Sequence, residues 1–125
     1  MSERLFVYGT LRAGAHPMHD VLAAAAELLG PGRCRGRLVD LGWYPGLVPT
    51  TDERWVVGEL WLLLRPTVLG HLDTYEGDEY ERRMISVQLA DGTSVPAWSY
   101  VLKEAPDHGR TIDSGDWMLY RRVDR

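Results

Sequence analysis

A chain of 125 residues with 45% hydrophobic and 26% charged side chains has the size and make-up of one globular domain spanning 1–125, and two separately cored domains would be cramped in it. Its 18 acidic against 14 basic residues give a formal net charge of -4, which leaves no electrostatic footprint for nucleic acid or an anionic membrane as a partner. Cys34 is the only cysteine, so an intrachain disulfide is excluded and a reducing cytoplasm is the expected location.

The first residues run into Leu5-Phe6-Val7-Tyr8 without a long apolar stretch, so neither a signal peptide nor a membrane-spanning helix is expected. This apolar and aromatic run predicts a buried first strand that stops at Gly9, where the backbone needs freedom. After a loop from Thr10 to Pro17, Met18 to Leu29 places Val21, Leu22, Ala25, Leu28 and Leu29 at helical spacing and predicts a helix ended by Gly30-Pro31-Gly32. Gly32 to Leu41 alternates as a half-buried strand does, and Arg33, Arg35 and Arg37 would share its solvated face.

Gly42-Trp43-Tyr44-Pro45-Gly46 reads as a turn, with a strand resuming at Leu47-Val48. Trp55 to Leu64 predicts an apolar strand in which Gly58 and Glu59 are a local anomaly of the kind that faces a site. Pro66 opens a short helix over Thr67 to Tyr75, with Val68, Leu69, Leu72 and Tyr75 on one face and Gly77 as the stop. Tyr80 to Gln88 and Ser94 to Val101, joined through Ala90-Asp91-Gly92, predict an antiparallel hairpin. Asp113 to Tyr120 closes the pattern with a short helical turn or an edge segment that lays Trp117 or Tyr120 on the core.

Two features can carry chemistry. Glu76 ends its helix, where the negative pole of the helix dipole makes a carboxylate harder to ionise and suits it to carrying a proton; spacing alone favours a solvated acidic turn paired with arginines. Tyr8-Gly9-Thr10-Leu11-Arg12 is a strand broken at glycine, which exposes consecutive N–H groups as an anion nest does, although an ordinary strand-to-loop transition has the same sequence and no nucleotide-binding motif is present. His16 and His19 lack a third metal ligand, His71 falls on a helix face, and Cys34 has no neighbouring histidine in sequence to activate it. Glu59 reads as a buried partner of Arg12 or Arg82 or as a substrate contact, and Trp43, Trp55, Trp61 and Trp98 read as core.

Taken in order, Tyr8-Gly9-Thr10-Leu11-Arg12, Tyr44-Pro45-Gly46, Val57-Gly58-Glu59-Leu60, Leu72-Asp73-Thr74-Tyr75-Glu76-Gly77, Tyr80, Arg82 and Gly115-Asp116-Trp117 with Tyr120 resemble the gamma-glutamylcyclotransferase-like family that includes the AIG2-like proteins. The resemblance implies an α+β fold with a mixed, curved, barrel-like sheet, one longer helix and one or two short ones. It makes Glu76 the catalytic carboxylate, assigns substrate binding to Tyr8, Gly9, Thr10, Leu11 and Arg12, and adds Tyr44 and Tyr80 as pocket lining. The implied partner is a small gamma-glutamyl substrate, an amine or amino acid amide cyclised to 5-oxoproline. No metal or cofactor is expected, and a monomer or homodimer is compatible with the length. A module that binds a carboxylate ligand without turnover is the alternative on the same fold.

Overall fold

The computed structural model describes residues 3–9, 18–42, 44–51, 53–106 and 109–124. Strands β1 (Glu3–Val7), β2 (Ala26–Arg35), β5 (Trp55–Leu63), β6 (Tyr80–Leu89) and β7 (Ser94–Leu102) close a barrel in the order β1-β5-β2-β6-β7. A second sheet is built from β3 (Arg37–Asp40), β4 (Pro45–Val48) and β8 (Arg110–Thr111), in the order β4-β3-β8. Helices α1 (Met18–Ala25), α2 (Val68–Glu76) and α3 (Trp117–Asp124) complete the mixed α+β architecture expected from the sequence.

Alternation along the strands divides the apolar residues between two cores. Leu5 and Val7 of β1 join Trp61 and Leu63 of β5 beneath Leu22 of α1 and Val68, Leu69 and Leu72 of α2. The intervening residues, Phe6 and Tyr8 with Val56 and Leu60, pack with Cys34, Val87, Ala97, Val101 and Trp117. Gly58 belongs to this arrangement because a Cβ there would lie 2.3 Å from the Val7 carbonyl oxygen and 2.7 Å from the Phe6 ring. Glycine in the middle of β5 therefore marks a close approach of backbone to backbone.

The helix predicted over Met18 to Leu29 stops at Ala25, whose carbonyl accepts both Leu64 N–H at 2.9 Å and Arg65 N–H at 3.0 Å. Ala26 onward pairs with β5, leaving Leu28 and Leu29 exposed, and a register slip between Leu28 and Gly30 absorbs the extra residue as a bulge. Pro31 is tolerated inside β2 because β6 pairs with β2 only at Gly32 and Arg33, so its missing N–H interrupts no ladder on that side.

Gly36 releases the chain from the barrel into the second sheet and separates the arginines expected on one face. Arg33 and Arg35 stack over Trp55 at 4.0 and 4.7 Å, whereas Arg37 donates to Thr111 Oγ1 at 3.0 Å. Of the tryptophans read as core, Trp61 is buried while Trp55 and Trp98 are half-buried and each carries an arginine; Trp43 lies outside the described residues.

The hairpin forms as predicted, in register from Tyr80 opposite Leu102 to Gln88 opposite Ser94. Asp113 to Tyr120 is more regular than the short turn expected, because Asp116 Oδ1 caps α3 by accepting the N–H groups of Met118 and Leu119 at 3.1 and 3.2 Å. Gly115, at φ +67°, places its backbone against Trp55, where a Cβ would meet the carbonyl oxygen at 1.9 Å.

Candidate active site

Four motifs far apart in sequence meet around Pro45. The Tyr80 hydroxyl donates to the Pro45 carbonyl at 2.6 Å, and a Cβ on Gly9 would lie 2.6 Å from Pro45 Cγ, so the end of β1 is pressed against the start of β4. Beside them the Tyr8 hydroxyl donates to the Tyr100 carbonyl at 2.6 Å and accepts Leu47 N–H at 3.2 Å. Glu76, the last residue of α2, completes the group. Burial is the main cause that holds the phenols of Tyr8, Tyr80 and Tyr100 in their protonated form, and the Glu76 charge adds to it, next after burial at Tyr80 but behind Tyr80 at Tyr8 and behind Asp73 at Tyr100. These phenols are donors throughout the physiological range, and none is poised to act as a base.

Glu76 is placed by its helix ending where it does. Gly77, at φ +81°, takes a conformation that side chains disfavour, and its N–H closes on the Asp73 carbonyl at 3.2 Å. Burial pushes the Glu76 carboxyl from 4.5 up to about 7. The helix dipole invoked from sequence acts in the same direction, but desolvation is the cause that the structure supplies.

This shift ties stability to pH. The folded chain holds the Glu76 proton to about 7 and the unfolded chain only to about 4.5, so the carboxyl's contribution is intact below the lower value and is lost as pH rises through the upper one. The loss amounts to about 3 kcal/mol by linkage. Thermal melts of Glu76→Gln are therefore expected to match wild type near pH 5 and to exceed it at pH 8; an equal difference at both values would remove burial as the cause.

Tyr44 approaches from the β3–β4 turn, with its ring 6.5 Å from that of Tyr80. Its hydroxyl donates to Glu79 Oε1 at 2.6 Å, and that bond, with smaller help from burial, raises the phenol above its ordinary range. The remaining loop residues assigned from the resemblance, Thr10, Leu11 and Arg12, lie outside the described residues, as does His16. Glu59 takes a hydrogen bond from Trp61 Nε1 at 3.4 Å, whereas Arg82, one of its expected partners, is engaged bidentately by Asp73 at 2.9 and 3.2 Å.

Sequence reasoning missed Asp73 and Tyr100, which share a 2.6 Å hydrogen bond across 27 residues. No local pattern announces such a pair, since nothing in the spacing marks Tyr100 apart from Trp98, the other aromatic residue of its strand. His19 meets Trp61 edge-on at 5.5 Å between ring centres, and burial raises the Cys34 thiol to about 12, so it stays protonated. Among the described residues no three His, Cys, Asp or Glu side chains gather as a metal site, and no helix is long and apolar enough to cross a membrane. A cavity of ≈ 390 Å³ between Arg33, Val57, Gln88 and Leu89 contains none of the Glu76 group, and Arg33 there is already hydrogen-bonded to Gln88 at 2.8 Å.

The described residues thus close a five-stranded barrel with the buried Glu76 carboxyl near the end of β1. The profile of the family described as gamma-glutamyl cyclotransferase, AIG2-like, matches residues 5–119, and the chain belongs to that family. A Vibrio cholerae protein provisionally named a gamma-glutamylcyclotransferase is 39% identical over 119 residues, covering 94% of this chain and 96% of its own. The gamma-L-glutamyl-butirosin B gamma-glutamyl cyclotransferase of Niallia circulans is 35% identical over 126 residues, covering 94% of this chain and 76% of its own. Among solved structures, YkqA from Bacillus subtilis superposes with a TM-score of 0.81 at 27% identity, over 99% of this chain and 42% of that longer one.

Proposed function

We propose that the chain cyclises a gamma-glutamyl amine or gamma-glutamyl amino acid to 5-oxoproline and releases the free amine, with Glu76 as general base and then general acid. The observation that carries this reading is the Glu76 carboxyl raised to about 7 by burial among tyrosine hydroxyls, since proton transfer is most efficient from a group that titrates near the working pH.

The substrate brings its own nucleophile. Folded into the attacking conformation, its α-amine lies within reach of its γ-carbonyl carbon, and closing a five-membered ring needs only that the amine lose a proton. Ionised Glu76 takes that proton from the α-ammonium, and the new N–C bond converts the carbonyl into a tetrahedral oxyanion. The resemblance assigns the N–H groups of Gly9, Thr10 and Leu11 to the developing oxyanion or to the substrate α-carboxylate, and Arg12 to substrate binding. Collapse breaks the original C–N bond, and Glu76 returns its proton to the departing nitrogen. The second proton still on the ring nitrogen passes to the released amine, which leaves as ammonium beside 5-oxoproline with a neutral ring nitrogen. Tyr8, Tyr44 and Tyr80 line the pocket, and the buried rings of Tyr8 and Tyr80 keep water from the carboxyl. No step calls for a metal or cofactor, and a buried thiol at Cys34 fits action in the cytoplasm.

The name of the Niallia circulans relative places its gamma-glutamyl group on butirosin, an indication that leaving amines vary on this scaffold. The test is 5-oxoproline release from a panel of gamma-glutamyl amino acids, gamma-glutamyl polyamines and gamma-glutamyl isopeptides. Turnover of any member with an acid limb near pH 7 supports the proposal; saturable binding across the panel without release would instead favour a carboxylate-binding module.

A further inference from the structure

Asp73 lies one turn before Glu76 on α2 and ties that helix to the barrel. Its carboxylate receives Arg82 Nε at 2.9 Å and Nη2 at 3.2 Å, together with the Tyr100 hydroxyl at 2.6 Å. The same hydroxyl lies 3.4 Å from the Leu69 carbonyl, so Tyr100 touches α2 on two successive turns. Arg82 is itself supported by the Trp98 ring at 4.7 Å, and Trp98 Nε1 donates to Glu3 Oε2 at 2.5 Å. These contacts draw β1, β6, β7 and α2 together.

The cyclisation chemistry uses none of these groups, and a partly exposed ion pair contributes little to stability. What a bidentate fork contributes is direction, because both N–H bonds are satisfied in one orientation only. Burial works to raise the Asp73 carboxyl, but the hydrogen bonds from Tyr100 and Arg82 and the Arg82 charge overcome it and hold it below the usual carboxylate range, so it stays ionised and gripped. With Gly77 N–H closing on the Asp73 carbonyl, the turn that ends in Glu76 is held from both its backbone and its side-chain side.

We propose that Asp73, held by Arg82 and Tyr100, is the positioning residue that sets the depth and direction of the Glu76 carboxylate. The inference rests on the reading of Glu76 as acid and base. The titratable groups that feel Glu76 are Tyr8 at the end of β1, Tyr80 on β6 and Tyr100 on β7, and the charges of the clamp are Asp73 and Arg82.

Arg82→Gln separates positioning from through-space charge. Deleting a cation would by field alone raise the midpoint of Glu76, whereas loosening α2 admits water and lowers it. The variant is expected to bring the midpoint, read by carbon NMR of labelled glutamate carboxyls, from about 7 to about 6. In parallel kcat for 5-oxoproline release should fall about tenfold with KM changed by less than about threefold, and Arg82→Lys should recover part of the loss. Asp73→Asn is expected to lower kcat in the same way. A midpoint that holds or rises in Arg82→Gln overturns the proposal, as does an unchanged kcat. If wild type turns over no gamma-glutamyl compound, the cyclotransferase reading falls, and the carboxyl titration still decides whether the clamp sets Glu76.

Discussion

Glu76→Gln is expected to lower kcat for 5-oxoproline release by about 10²- to 10⁴-fold, the range over which a single proton carrier acts. The substitution keeps the shape of the side chain and removes only the titrating oxygen, so α2 and its Gly77 stop should be preserved. Wild-type kcat/KM should climb about tenfold per pH unit up to about pH 7 and flatten above it, because ionised Glu76 is the form that accepts the ammonium proton. The variant should lose that limb. Glu76→Asp keeps the carboxyl but withdraws it by one methylene, and an activity between those of wild type and Gln is the expected result. Full activity in Glu76→Gln would sink the acid/base assignment, since no other described group in the cluster titrates near neutrality.

Trp117→Ala is expected to cost about 3–5 kcal/mol of unfolding free energy, the usual penalty for emptying a fully buried aromatic site. Trp117 is 0% exposed, packs with Phe6, Val56 and Val101, and stacks on Tyr120 at 5.8 Å between ring centres. Domains of this kind hold about 5–15 kcal/mol in all, so the variant should melt far below wild type or fail to fold. Trp117→Phe separates the two terms of the loss. The indole Nε1 is buried with no acceptor among the described residues, an arrangement that costs about 1–3 kcal/mol. Phenylalanine removes that orphan while leaving a smaller void, so it should be far milder than alanine. Equal destabilisation of the two variants in chemical denaturation would overturn this division of the loss.

What the sequence made legible was local. Asp91-Gly92 announced the β6–β7 hairpin because a tight turn depends on a few adjacent residues, and Gly77 announced the end of α2 for the same reason. The order of short motifs pointed to Glu76 and to the strand end at Tyr8-Gly9; Gly9 and Tyr80 meet at Pro45, and the Glu76 charge is felt by Tyr8 and Tyr80. The failures were non-local. Leu28 and Leu29 share the spacing of a helix face, but β5 offered Ala26 to Gly30 a pairing partner, and that partner outweighed the periodicity. Of the readings open for Glu59, a pair with Arg82 is the one set aside, because Arg82 reaches Asp73 of the adjoining helix. Tyr100 bonds Tyr8 through its carbonyl across 92 residues and Asp73 through its phenol, roles that no residue near it in sequence reveals.

The parallel contact between β1 and β7, where Leu5 lies opposite Trp98, has a consequence for biosynthesis. β1 receives one of its neighbours from β7, which is made about ninety residues later, so the nascent chain carries one margin of β1 uncovered until β7 has left the ribosome. Closure across such a separation is intrinsically slow, and the waiting edge invites pairing with another chain. A permuted chain that makes β7 and β1 consecutively is expected to close its barrel early.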